Sequence, residues 1–199
     1  MINLKEHNFP YESFIGGWYL PEKLCNDIIK TFKKNIQAWE PGKIGHNQID
    51  CDRKESTDMY ISKNDFKSPF DEYRKYISQI IKNYELKYEE LKKHWSYNIV
   101  EDYNIQYYKP NQGFKSWHCE RSAPTHRMLV FMTYLNDVED GGTEFKYQKI
   151  ISPAKKGLTL LWPSDFTHTH KGQISEKYEK FIVTGWLSYE PFSKDIKNE

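Results

Sequence analysis

Apolar and polar positions recur at two different periods along the chain. Between Pro21 and Trp39 the apolar residues Leu24, Ile28, Phe32 and Ile36 return every four positions, which lines one face of a helix, and Pro21 fits its first turn. A second helix is signalled at Ser68-Pro69, with Ser68 as N-cap and Asp71 three residues on. Its apolar face runs through Phe70, Tyr73, Ile77, Ile80 or Ile81, Tyr84, Tyr88 and Leu91, and a break is expected near Asn83. Residues 41–58, between the two, are polar and without period, as in a long surface loop. After about residue 97 the runs become short and rich in β-branched and aromatic residues. NIQYY, FKSWHCE, RMLVFMTYL, TEFKYQ, LTLLW and KFIVTGWLSY are separated by the turn formers KPNQG, NDVEDGG, KKG and PSD. Helices first and strands afterwards predict an α+β chain with a mainly β core, an antiparallel sandwich or barrel, and N-terminal helices packed on one face. One domain over 1–199 is expected, with 1–97 as helical support and 98–190 as the β core. The closing KDIKNE is expected to fray.

Composition narrows the function classes. With 29 Lys plus Arg against 28 Asp plus Glu, the net charge of +1 gives no long-range field to gather nucleic acid or an anionic membrane. No apolar run approaches the roughly 20 residues that cross a bilayer. The opening MINLKEHNFPYESF lacks the basic region and apolar run of a secretory leader, so a cytoplasmic protein is expected, in the host cytoplasm if the source is viral. Cys25, Cys51 and Cys119 are an odd number without C-x-x-C spacing, which suits a reducing compartment rather than a disulfide framework. Fifteen Tyr, 11 Phe and 6 Trp mean that large rings with polar tips build much of the core.

The chemistry lies in two short spacings. On an extended chain, residues two apart share a face, so His118 and Glu120 point together, and so do His168 and His170. Seven histidines among 28 acids produce roughly one His-x-acid match by chance. A second histidine pair about 50 residues on changes that reading, because three ligands from two strands of one barrel can converge. Two imidazoles and a carboxylate on one side of an ion leave its other positions open and suit Fe(II) that must bind a co-substrate and oxygen.

The surrounding residues sharpen this. Tyr108, His118-Cys119-Glu120, Tyr134-Leu135-Asn136, Gly141 to Phe145, His170, Lys180 and Thr184-x-Trp186 follow in that order. From about Asn104 to Tyr189 the chain resembles the catalytic core of the prolyl 4-hydroxylase type of Fe(II)- and 2-oxoglutarate-dependent dioxygenases, including small bacterial and bacteriophage forms. The resemblance implies a double-stranded β-helix (a jelly-roll, cupin-like barrel), with His118, Glu120 and His170 as metal ligands. It implies Lys180, ten residues after His170, as partner of the far carboxylate of 2-oxoglutarate, and Tyr134, Tyr108 and Thr184 as further co-substrate contacts. Fe(II), 2-oxoglutarate and O2 are the implied cofactors, with ascorbate as an auxiliary reductant. Glu120 departs from the family pattern, which has Asp there. His168 is left as a neighbouring group.

The implied reaction hydroxylates an unactivated C–H bond of a prolyl residue in a peptide or protein, with succinate and CO2 as co-products. The competing expectations are the same chemistry on a free amino acid, another small molecule or a nucleobase, and a non-catalytic metal-binding jelly-roll module. Trp117, Trp162 and Trp186 are candidates for the pocket wall. The loop from Gly42 to Asp58 is a candidate lid, with Arg53 and Asp58 toward substrate, and Arg121 to Arg127 a candidate entrance. The oligomeric state is not legible.

Overall fold

Alternate side chains of a strand take opposite faces, and the largest sheet of this protein buries both. The computed structural model describes residues 2–45, 48–93, 96–121 and 125–189. The KDIKNE tail, and the centre of the 121–127 segment, lie outside the described residues. In chain order the elements are β1 (Gly16–Tyr19), α1 (Glu22–Lys34), β2 (Glu40–Pro41), β3 (Thr57–Ile61), α2 (Phe70–Lys87), β4 (Tyr97–Asn98) and β5 (Tyr103–Tyr108). There follow β6 (Arg127–Tyr134), β7 (Val138–Phe145), β8 (Ile150–Ala154), β9 (Leu158–Pro163), β10 (His170–Gly172) and β11 (Lys180–Tyr189).

Eight strands form the main sheet in the order β1-β9-β6-β11-β5-β3-β2, with β4 also paired to β11, and β10-β7-β8 form a smaller sheet. The pairings between these strands are antiparallel. One face of the main sheet, through Tyr103, Ile105, Leu129, Phe131, Phe181 and Val183, packs on Leu24, Ile28 and Phe32 of α1 and on Tyr73, Ile77, Ile80 and Tyr84 of α2. At about 1.5–3 kcal/mol for each fully buried side chain, this layer is a main source of stability. The other face joins the small sheet through a second cluster that unites Val130, Met132, Leu160 and Ile182 with Val138, Phe145 and Ala154. The result is the predicted double-stranded β-helix, with the helices on one face.

Several elements differ from the sequence expectation. The first helix ends at Lys34 rather than running to Trp39, because the Asn35 side chain donates to the Thr31 carbonyl (2.7 Å). Ile36 is consequently turned outward at 63 % exposure, and Trp39 takes its place by stacking on Phe32 at 4.8 Å. Pro21 is the N-cap residue rather than part of the first turn. Pro69, not Ser68, stands at the second N-cap, since the Lys67 carbonyl accepts from the Phe70 and Asp71 N–H groups. No break occurs near Asn83, which lies within α2 and accepts a hydrogen bond from Gln79 one turn earlier. The first half is not only helical: β1, β2 and β3 all join the main sheet. FKSWHCE is irregular rather than a strand, whereas NDVEDGG belongs largely to β7.

Candidate active site

The strand register sets the inner wall. Lys180 pairs with Tyr108, Ile182 with both Gln106 and Tyr134, Thr184 with Asn104 and Met132, and Trp186 with Val130. Each of these β11 residues therefore shares a face with even-numbered partners on its neighbours. That face and the small sheet enclose a cavity of about 760 Å3 whose exposed lining residues, Gly45, Gln48, Arg53, Tyr60 and Asp102, mark its mouth.

His118 and Glu120 arrive from the irregular segment before β6, and a single bridge sews them to β10. His118 N–H donates to the His170 carbonyl (2.9 Å) and His170 N–H to the His118 carbonyl (2.8 Å). This exchange juxtaposes the two rings, with centroids 4.3 Å apart. The ligating atoms of His118, Glu120 and His170 all lie within 4.8 Å of one another. Each imidazole is also fixed from behind. His118 Nδ1 lies 2.9 Å from the Ser116 carbonyl, and His170 Nδ1 lies 2.8 Å from the His168 carbonyl. A carbonyl can only accept, so each ring proton sits on Nδ1 and each Nε2 presents a lone pair. Phe114 stacks on His118 at 3.6 Å, and Trp162 meets His170 edge-on at 5.1 Å.

The two Nε2 atoms stand 3.5 and 3.7 Å from Glu120 Oε1. Burial and the neighbouring His170 hold the His118 imidazole below its ordinary pKa, which keeps it neutral. Two imidazole nitrogens and one carboxylate oxygen thus converge on one point, an arrangement that a divalent cation would satisfy.

At the far end of β11's inner face, Lys180 is 5 % exposed. Its Nζ donates to the carbonyls of Gln173 (2.8 Å) and Gly141 (3.2 Å) and lies 5.2 Å from the Tyr108 ring. No carboxylate pairs with it among the described residues, and burial pushes its ammonium down to about 8. An unpaired buried cation in a cavity is a ready counter-ion for an entering carboxylate. Tyr134, its OH bonded to Thr143 Oγ1 (2.7 Å) and Ser152 Oγ (2.8 Å), lines the same cavity, as do Tyr108 and Thr184.

The remaining candidates separate. Trp162 and Trp186 line the cavity; Trp117 does not, and instead carries the Lys171 ammonium over its ring at 4.6 Å. His168 turns away, with Nε2 2.9 Å from the Ser13 carbonyl. Arg53 is exposed at the mouth, but Asp58 is fully buried in β3, where it pairs with Lys54 at 2.7 Å and takes a hydrogen bond from Asn104. It anchors the loop and is not among the residues that line the cavity. That loop is also tied down by Gly42 N–H to the Ser56 carbonyl (2.8 Å) and by Lys115 N–H to the Arg53 carbonyl (2.8 Å).

The polar wall of β5 holds, besides the expected Tyr108, two residues that the sequence analysis does not single out, Asn104 and Gln106. Tyr108 OH donates to Gln106 Oε1 (2.5 Å), Gln106 to Asn104 Oδ1 (3.2 Å), and Asn104 to Asp58 Oδ2 (3.2 Å). The alternation Asn104-x-Gln106-x-Tyr108 was its signal, since it sets three hydrogen-bonding side chains on one face of a strand otherwise suited to the core. Arg127, which ends the candidate entrance segment, lines the cavity with Thr125, whereas Glu101, also in the lining, carries no recognisable sequence pattern.

Comparison with known proteins agrees with this geometry. A family model described as the 2OG-Fe(II) oxygenase superfamily matches residues 103–188, which include all four of His118, Glu120, His170 and Lys180. A search of curated proteins by sequence returns no match. Among solved structures, a prolyl-4-hydroxylase from Pseudomonas putida aligns at TM-score 0.67 and 15 % identity over 89 % of this chain and 94 % of its own. The viral collagen prolyl hydroxylase of Paramecium Bursaria Chlorella virus-1, solved with 2OG, aligns at 0.66 and 18 % over 87 % and 95 %. A prolyl hydroxylase from Trichoplax adhaerens, in complex with a hypoxia inducible factor oxygen degradation domain peptide fragment, aligns at 0.71 and 13 % over 88 % and 84 %.

Proposed function

We propose, from the premise that the chain carries a 2OG-Fe(II) oxygenase core and is a 2-oxoglutarate-dependent dioxygenase, that it hydroxylates a prolyl residue in a peptide or protein. In this reading His118, Glu120 and His170 hold Fe(II), and Lys180 pairs with the far carboxylate of 2-oxoglutarate. The observation that carries it is one cavity holding both a convergent two-imidazole, one-carboxylate set and a buried ammonium without a carboxylate partner among the described residues. Bound Fe(II), with 2-oxoglutarate and O2, supplies the oxidant that turns C–H into C–OH while the co-substrate leaves as succinate and CO2.

The protein's own part is placement. Carbonyl-fixed imidazoles hold their lone pairs inward before any ion binds, which lowers the ordering cost of binding. Tyr134, Tyr108 and Thr184 offer hydroxyls to the co-substrate beside Lys180. Ile182 gives the cavity an apolar wall beside Lys180, and Trp162 one beside His170. The cavity exceeds what a five-carbon diacid needs, so a substrate side chain can enter beside it from the mouth near Arg53 and Asp102. An open mouth bordered by both charge signs suits an extended peptide segment better than a fully enclosed metabolite. Peptide recognition by the Trichoplax adhaerens enzyme on the same fold supports this choice.

The test is incubation with Fe(II), 2-oxoglutarate and O2 across a library of proline-containing peptides, followed by mass spectrometry. Gain of one oxygen on a prolyl residue, matched by succinate, is expected. Succinate release with no peptide modified would move the substrate to a free amino acid or another small molecule, and no succinate under any condition would end the oxygenase reading.

A further inference from the structure

Glu120 stands where the family pattern has aspartate, and its extra methylene makes the carboxylate freer to swing or to chelate with both oxygens. The structure removes that freedom. Glu120 Oε1 faces the two Nε2 atoms at 3.5 and 3.7 Å, while Oε2 accepts from Trp186 Nε1 at 3.1 Å and from Arg127 Nη1 at 3.4 Å. Arg127 Nη1 also donates to the Glu120 backbone carbonyl at 3.3 Å. The guanidinium is itself held in place. It lies flat over the Trp186 ring at 3.5 Å and forks onto Glu101, with Nε to Oε1 at 2.9 Å and Nη2 to Oε2 at 2.6 Å. Ser188, two residues beyond Trp186 on β11, adds its hydroxyl to Glu101 Oε1 at 3.4 Å.

We propose that Trp186 and Arg127 are positioning residues that fix Glu120 as a one-oxygen metal ligand, with Glu101 locking Arg127 in the stack. The inference rests on the reading of His118, Glu120 and His170 as the metal site. Two donors occupy the Oε2 lone pairs, so Oε1 alone is presented to the cation, and the positions a second carboxylate oxygen would take stay open for a chelating co-substrate. The stack and the longer side chain belong together. A shorter carboxylate at position 120 cannot reach the indole N–H and the two imidazoles at once, so the clamp matters only with Glu there.

That coupling is testable without turnover. The full chain, freed of metal, is titrated anaerobically with Co(II), whose visible bands report both affinity and coordination number. Trp186→Phe keeps the ring and the guanidinium stack but removes the N–H. It is expected to weaken Co(II) binding about 10-fold, at the low end for loss of an outer-shell partner, and to shift the bands as the freed oxygen turns to the metal. In a Glu120→Asp background the same change should move affinity by less than about 2-fold, because the contact is already absent. Arg127→Lys, which keeps the charge and loses the fork, should behave as Trp186→Phe does and covers the case in which Trp186→Phe misfolds. Equal losses in both backgrounds, or Trp186→Phe with wild-type affinity and bands, would overturn the proposal. A wild-type chain that binds no Co(II) at all would instead overturn the metal site on which it rests.

Discussion

Replacing Lys180 by Met gives opposite signs in two measurements. The unbranched apolar stem is kept, while the buried ammonium is lost. Burial lowers that group from 10.5 to about 8, and at about 1.4 kcal/mol per tenfold this places about 3 kcal/mol of strain on the protonated folded protein. Loss of the hydrogen bonds to the Gln173 and Gly141 carbonyls takes back about 1 kcal/mol each. At pH 7 the variant without ligand is therefore expected to be the more stable by about 1 kcal/mol. Between about 8 and 10.5 the unfolded wild-type chain holds more protons at this site than the folded one, so wild-type stability rises with pH across that window. The variant lacks that rise, and by the top of the window it should trail by about 2 kcal/mol. Buried tyrosines that titrate at high pH do so in both proteins and cancel in the difference. Urea unfolding at neutral and at high pH measures the crossing. In parallel, calorimetry with 2-oxoglutarate and Mn(II) in place of iron should show about a 100-fold loss of affinity in Lys180→Met, the scale set by removing one partner of a desolvated charge pair. A variant less stable than wild type at pH 7, or one that binds 2-oxoglutarate as wild type does, would refute the reasoning.

His118→Ala should abolish both metal uptake and succinate release, while loss of the Phe114 stack costs about 1 kcal/mol and lowers Tm by about 2–4 °C; a collapse of Tm in scanning calorimetry would mark the site as structural instead. Asp58→Ala leaves Lys54 buried with no counter-ion and should cost about 3–5 kcal/mol in urea unfolding, with an unchanged midpoint contradicting the anchor described for that pair. Tyr134→Phe deprives Thr143 and Ser152 of a shared partner, so about 1 kcal/mol of stability and roughly tenfold in 2-oxoglutarate affinity should be lost, which denaturation and calorimetry read separately.

Where one period dominated, the sequence was legible. The apolar runs of β5, β6, β9 and β11 were found because both of their faces are buried. The first part of β7, within NDVEDGG, reads as a turn because Glu139 and Asp140 are exposed there, and its register shifts between Val138 and Thr143. β3 was hidden because its inward position is Asp58, a buried charge whose partner Lys54 sits in the adjoining loop, and hydrophobic alternation cannot see a buried ion pair. The His-x-Glu segment was located by spacing although it is not in a strand. One bridge to β10 is enough to make residues two apart share a side. The carbonyl locks behind the imidazoles are backbone contacts, which no side-chain pattern announces, and the Glu101–Arg127–Trp186 stack joins residues up to 85 positions apart.

The register of β11 ties these parts together. Its even-numbered residues run from Lys180, through Ile182 and Thr184, to Trp186, so one strand face spans the ammonium end of the cavity and the Glu120 carboxylate. A slip of one residue would turn all four onto the helix-packed face and bury Phe181 and Val183 in the cavity. Gly185 opposes such a slip. A Cβ there would lie 2.2 Å from Phe131 Cζ, so the strand fits beneath that ring only where it has no side chain. Thr184 or Trp186 brought to that position would collide with the same ring. The steric demand of the helix-facing core, far from any ligand, thus helps fix which residues face the chemistry, and the strand's single shift in pairing, between Leu187 and Ser188, lies beyond Trp186 and leaves that alignment intact.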